Sequence, residues 1–177
     1  MRALVVGGSG SGKSAYAEQL VARLSPHRTY VATMRDDGPE ASERILRHRS
    51  QRAELGFITV ECPDSLMAAC QGSTDGVVLV DDLGNLVANA LFAPDGTMAD
   101  AQTVLERLLR EIDTLSQSYQ HVVLVGNEVG AEGRYPYAGT NTWVRVIGAL
   151  NCRIAASFDE VTEVVSGIAC PVKGVLA

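Results

Sequence analysis

The run Gly7-Gly8-Ser9-Gly10-Ser11-Gly12-Lys13-Ser14 follows directly on the apolar stretch Ala3-Leu4-Val5-Val6. No other feature limits the possible folds as much. The spacing is G-x-x-x-x-G-K-S in full. Its glycines let backbone N–H groups converge on phosphate oxygens without side-chain obstruction. Lys13 brings a point charge to the β- and γ-phosphates, and Ser14 brings a hydroxyl for Mg²⁺. Such a loop needs a buried strand before it and a helix after it, with the positive end of the helix on the phosphates. Both are legible. Residues 3–6 read as a buried parallel strand. Residues 14–24 carry Ala17, Leu20, Val21 and Leu24 at helical spacing, and Ser25-Pro26 ends the run.

The rest of the chain alternates in the same way. Strands are expected at 29–32, 57–60, 77–80, 122–125 and 161–165, with a further one after Gly167. A charged helix is expected over 40–55, after the turn Asp36-Asp37-Gly38-Pro39. Another is expected over 99–118, where Val104, Leu108, Ile112 and Leu115 form one stripe, and a third over 142–155. This pattern predicts an α/β P-loop NTPase fold, a mostly parallel sheet with helices on both faces. At 177 residues it forms one domain, 1–177. The segment 132–140, with its glycines and a proline, is the expected mobile or binding loop.

Composition narrows the function. Hydrophobic residues make up 46% and charged residues 20%, as in a globular chain. The net charge of -6 argues against nucleic-acid binding, which wants a basic surface. No apolar run approaches the roughly 18 residues of a membrane span. The loop begins at residue 7 and leaves no room for a signal peptide, so a cytoplasmic location is expected. Cys62, Cys70, Cys152 and Cys170 lack C-x-x-C spacing and are read as thiols in a reducing compartment.

A loop of this kind works with an acid at the tip of a neighbouring strand, which holds Mg²⁺ directly or through water. Asp81, after Val77-Val78-Leu79-Val80, fits, and Asp82 is a close rival. Either acid can equally be a turn or helix-start residue. Asp81-Asp82-Leu83-Gly84 also fits a D-x-x-G switch, but the chain has no N-K-x-D guanine-reading motif. Residues 44–52 hold four of the fifteen Lys and Arg residues and no acid. On a helix, Arg44, His48 and Arg52 share a face. The like charge around His48 disfavours its protonation, and a neutral imidazole is a nucleophile. The arrangement permits a nucleotidyl–histidine intermediate. A plain anion site or a solvated helix face would look the same.

Taken together, these motifs resemble the bifunctional adenosylcobinamide kinase / adenosylcobinamide-phosphate guanylyltransferase family of cobalamin biosynthesis. The resemblance runs from the loop through Tyr30-Val31-Ala32-Thr33, Arg44-Ile45-x-x-His48-Arg49, Glu61, Asp81 and Asn89-Ala90-Leu91-Phe92. It continues through Asn127-Glu128-Val129-Gly130, Gly148-x-x-Asn151 and Asp159-x-Val161 to Val164-Val165-Ser166-Gly167-Ile168. The resemblance implies a RecA-like domain in a homotrimer. It implies phosphorylation of the aminopropanol hydroxyl of adenosylcobinamide by ATP or GTP. It also implies transfer of GMP from GTP through a guanylyl-histidine at His48, with Lys13 acting beside it. Nucleotide contacts carry over to residues Gly7, Gly8, Ser9, Gly10, Ser11, Gly12, Lys13 and Ser14, and to Ala32, Thr33 and Met34. They carry over also to Arg49, Ser50, Gln51 and Arg52, to Glu61 and to Asp81, with Ser14 and Asp81 on Mg²⁺. The rival readings are a small-molecule kinase without guanylyl transfer, which would form no covalent enzyme species, and a nucleotide-binding regulatory protein. Two segments depart from the pattern: Val144-Arg145 before Gly148, and 131–141 with its Tyr135-Pro136-Tyr137.

Overall fold

Successive side chains along a strand point to opposite faces, so continuously apolar strands present two apolar surfaces on opposite sides of one sheet. In the computed structural model, which describes residues 1–35, 55–71, 75–129, 133 and 135–174, that sheet has seven strands. They are β1 (Arg2–Gly7), β2 (Arg28–Ala32), β3 (Phe57–Glu61), β4 (Val77–Asp81), β5 (His121–Asn127), β6 (Glu160–Val165) and β7 (Ile168–Lys173). Their spatial order is β3-β2-β4-β5-β1-β6-β7. The first six are parallel, and only β7 runs antiparallel, against β6.

One face is covered by α1 (Lys13–Leu24), whose Ala17, Leu20 and Val21 pack on Ala3, Val5, Leu79, Val123 and Val125. The other face is covered by α2 (Leu83–Leu91), α3 (Ala101–Ser118) and α4 (Ala138–Ser157). Their apolar stripes meet Leu4, Val31, Val78, Val80, Val122 and Leu124. Successive residues of β1, β4 and β5 thus enter different cores, which is why these strands are apolar at nearly every position. The mostly parallel sheet with helices on both faces agrees with the expected α/β class.

Three elements add to or depart from the expectations. The strip after Asp82 is the helix α2, for which no element was expected; Leu83, Leu86, Val87 and Leu91 are its buried stripe, and of its two readings Asp82 is the helix-start acid, its side chain accepting from Asn85 N at 2.7 Å. α4 begins at Ala138, four residues ahead of the expected start at 142, because Asn141 closes the entry by donating to Tyr137 O. Residues 66–71 form a 3₁₀ turn that periodicity does not signal, held by the buried Glu111 carboxylate, which accepts from Leu66 N at 2.8 Å. The expected helix over 40–55 lies outside the described residues apart from Leu55. All four cysteines are free thiols.

Candidate functional site

The loop 8–12 leaves the carboxyl end of β1 near the middle of the sheet, the place where open α/β sheets bind ligands. Gly12 has φ 91°, a left-handed conformation that a side chain would strain. It caps α1 without any side-chain bond, and the first turn holds no acid. The first amides of α1 are therefore not consumed by a capping side chain, as an anion site requires. Lys13 is buried, and its Nζ donates to Gly8 O at 3.2 Å, folding back over the loop.

The acid predicted opposite the loop is in place. β4 lies two strands from β1, with the tip of β5 between them. Ser14 Oγ spans the gap and donates to Asp81 Oδ1 at 3.2 Å. Tyr30, buried on β2, donates its hydroxyl to Asp81 Oδ2 at 2.6 Å. Both oxygens of the Asp81 carboxylate are thereby oriented. The Ser14–Asp81 pair supplies two hard oxygen ligands, which suits a small divalent cation that keeps much of its water. No cluster of three His, Cys, Asp or Glu side chains able to hold a metal occurs among the described residues. The remaining ligands would come from water and phosphate oxygens.

Asp82 has a different part. Its carboxylate is tied to the start of α2, and its backbone N and O both bond Thr33 Oγ1 at 2.8 Å. Burial pushes its carboxyl above the usual range; the Asn85 amide opposes this, and the charge of Asp81 adds to it. Of the two candidate acids, Asp81 faces Ser14 and Asp82 is a helix cap.

Ala32 ends β2, pairing with Asp81 in register, and Thr33 and Met34 follow it beside these acids. Asn89 of α2 fastens this segment, donating to Thr33 O and to Pro63 O, each at 2.8 Å. Arg35 continues the clasp through Asp64 and the carbonyls of Asn89 and Phe92. Glu61 ends β3 next to Ala32. The expected histidine and basic residues, His48, Arg49, Ser50, Gln51 and Arg52, lie outside the described residues.

Several site residues were not legible as such. Tyr30 reaches Asp81 only because β2 and β4 are neighbours. Asn127, at the tip of β5, accepts from Gly84 N at 3.1 Å and receives Asn151 Nδ2 on its carbonyl at 3.1 Å. Glu128 N donates to Gly7 O at 3.0 Å. The β6–β7 hairpin turns through Ser166 and Gly167, with φ 50° and 81°. Gly167 N then donates to Ser11 O at 2.8 Å, bracing the loop from outside. Strands on either side of Ser166-Gly167 were expected from the sequence; their pairing as a tight hairpin and its docking on the loop were not.

The chain is similar to known proteins over nearly its whole length. The family described as cobinamide kinase / cobinamide phosphate guanyltransferase matches residues 3–172. The bifunctional adenosylcobalamin biosynthesis protein CobU of Salmonella typhimurium is 36% identical over 98% of this chain and 100% of its own length. The bifunctional adenosylcobalamin biosynthesis protein CobP of Pseudomonas aeruginosa is 33% identical over 98% of each chain. Among solved structures, the flagellar accessory protein FlaH from Methanocaldococcus jannaschii aligns over 98% of this chain and 78% of its own, with 14% identity and a TM-score of 0.48.

Proposed function

The chain belongs to the cobinamide kinase / cobinamide phosphate guanyltransferase family, and from that premise we propose a two-step transferase of cobalamin biosynthesis. The first step phosphorylates the hydroxyl of adenosylcobinamide with ATP or GTP. The second transfers GMP from GTP to that phosphate, giving adenosylcobinamide-GDP and pyrophosphate. The observation that carries this reading is a family match over residues 3–172 on a chain whose loop sets Ser14 Oγ 3.2 Å from Asp81. The relatives named as bifunctional cover the whole chain, which does not favour a plain kinase or a regulatory protein.

In the kinase step, Lys13 and the loop amides stabilise charge on the transferring phosphoryl group. Ser14 and Asp81 would hold Mg²⁺, which would supply charge neutralisation on the phosphate oxygens when bound. In the second step a ring nitrogen of His48 attacks the α-phosphorus of GTP. The N–P bond forms as the bond to the β-phosphate oxygen breaks, and pyrophosphate leaves. An oxygen of cobinamide phosphate then attacks the same phosphorus and frees His48. Ala32, Thr33, Met34, Arg49, Ser50, Gln51, Arg52 and Glu61 contact the nucleotide along with Gly7 to Ser14. The functional unit is one domain over 1–177, assembled as a cytoplasmic homotrimer. No described helix is long and apolar enough to cross a membrane.

Incubation with α-labelled GTP and Mg²⁺ tests the covalent step. Acid-labile label on the wild type that is absent from His48→Ala is the expected result. Label that persists in that variant removes His48 from the mechanism.

A further inference from the structure

A cavity of about 390 Å³ opens between α2 and the start of α4. Ala88 and Phe92 wall one side, and Tyr137, Gly139, Thr140 and Trp143 wall the other. None of these side chains is charged. Three aromatic rings in so small a space suit a neutral, largely apolar group and not a polyphosphate.

The walls are fixed before any ligand arrives. Trp143 Nε1 donates to Gly84 O at 2.9 Å, locking the indole against α2. The Asn141 carboxamide accepts from Tyr135 N at 3.0 Å and donates to Tyr135 O at 2.7 Å and Tyr137 O at 2.8 Å. It thereby pins Tyr135-Pro136-Tyr137, the segment that departs from the family pattern, to the first turn of α4. A Cβ on Gly139 would come within 3.3 Å of the Phe92 ring, so the glycine keeps that ring in the wall.

The position is as informative as the lining. Trp143 rests on Gly84, two residues beyond Asp82, and Gly84 N is bonded to Asn127 at the tip of β5. Ala88 and Phe92 line the cavity one and two turns further along α2, and Asn89 beside them donates to Thr33 O, next to the strand tips of Ala32 and Asp81. A kinase acting on a hydroxyl must hold its second substrate within reach of those tips, because reacting atoms meet at about 3–3.5 Å. That substrate, on the reading given above, is a macrocycle edged with methyl and amide groups and bearing an aminopropanol arm. We propose that this aromatic cavity is the acceptor subsite. It receives an apolar edge of the cobinamide ring and leaves the arm free to reach Ser14 and Asp81. The ring as a whole exceeds the cavity, so only its rim enters. The inference rests on the proposed function, and its test separates the two.

The full chain is assayed with cobinamide and ATP, as wild type, as Tyr137→Ala and as Ala88→Phe. Tyr137 is 74% exposed, so its truncation leaves the core intact, while Ala88→Phe fills the cavity. The cobinamide KM is expected to rise about tenfold or more in both, with the ATP KM within about twofold of wild type. A cobinamide KM that stays within about twofold in both active variants overturns the subsite and leaves the proposed function standing. Equal rises in the cobinamide and ATP KM also overturn it, because the cavity would then not discriminate the acceptor. A wild type that phosphorylates neither cobinamide nor adenosylcobinamide, with ATP or with GTP, removes the proposed function and the subsite together.

Discussion

Asp81 is gripped at both oxygens, by Ser14 Oγ at 3.2 Å and by the Tyr30 hydroxyl at 2.6 Å. The first contact faces the loop. The second comes from a buried phenol whose ring also meets Phe57 edge-on, with centroids 5.8 Å apart. A partner of this sort orients a ligating carboxylate without touching the cation. Tyr30→Phe keeps the ring and removes only the hydroxyl. The loss of a bond to a charged group costs about 1–3 kcal/mol of stability. The Mg²⁺ concentration for half-maximal kinase activity is expected to rise about tenfold, while the rate at saturating Mg²⁺ recovers most of its wild-type value. A Mg²⁺ titration of initial rates checks this; an unchanged midpoint would leave Tyr30 a purely structural residue.

Among the elements, α3 offers the clearest account of how sequence becomes structure. Its stripe of Val104, Leu108, Ile112 and Leu115 is buried as the spacing requires. Asp100 caps its start, its Oδ1 accepting from Thr103 Oγ1 at 2.7 Å and Thr103 N at 2.8 Å. The Thr103 hydroxyl first, and then its amide, hold the Asp100 carboxyl below the usual carboxylate range. A depressed folded value means that the charged form is the stabilising one. The contribution is present above the unfolded value of about 4 and is lost as pH falls through the folded one. Asp100→Ala is therefore expected to lower Tm at neutral pH, and the gap from wild type should narrow as melts are repeated at increasing acidity. A gap independent of pH would assign the effect to helix propensity instead. No helix was expected at α2, although Leu83, Leu86, Val87 and Leu91 form a comparable stripe there. There the Asp81-Asp82-Leu83-Gly84 string competed as a turn or switch motif, and only the Asp82 side chain on Asn85 N decides for a helix. Contacts such as Trp143 on Gly84, or Gly167 on Ser11, depend on which strands and helices become neighbours. Local periodicity carries no such information. Lys13, Ser14 and Asp81 were legible because their chemistry demands fixed places on a loop and a strand tip.

At the level of the whole molecule, the two cores and the site are separable. The loop and the acids sit on strand ends, whereas Leu108 is fully buried in the core beneath α2, α3 and α4. Nucleotide that binds only the folded chain stabilises all of it: at a hundredfold excess over Kd the gain is about 2.7 kcal/mol. For a chain of this size that corresponds to a rise in Tm of about 5–10 °C. Leu108→Ala opens a cavity away from the site and is expected to lower Tm by about 5–15 °C, from a cost of about 2–5 kcal/mol. Its GTP-induced rise should nevertheless match that of wild type, because the loop is untouched. Lys13→Ala should do the reverse. It loses most of the GTP-induced rise, since the only loop side chain that carries charge to the phosphates is gone. Paired melts with and without Mg²⁺-GTP distinguish these cases. A Lys13→Ala protein that keeps the full rise would place the nucleotide somewhere other than the loop at the end of β1.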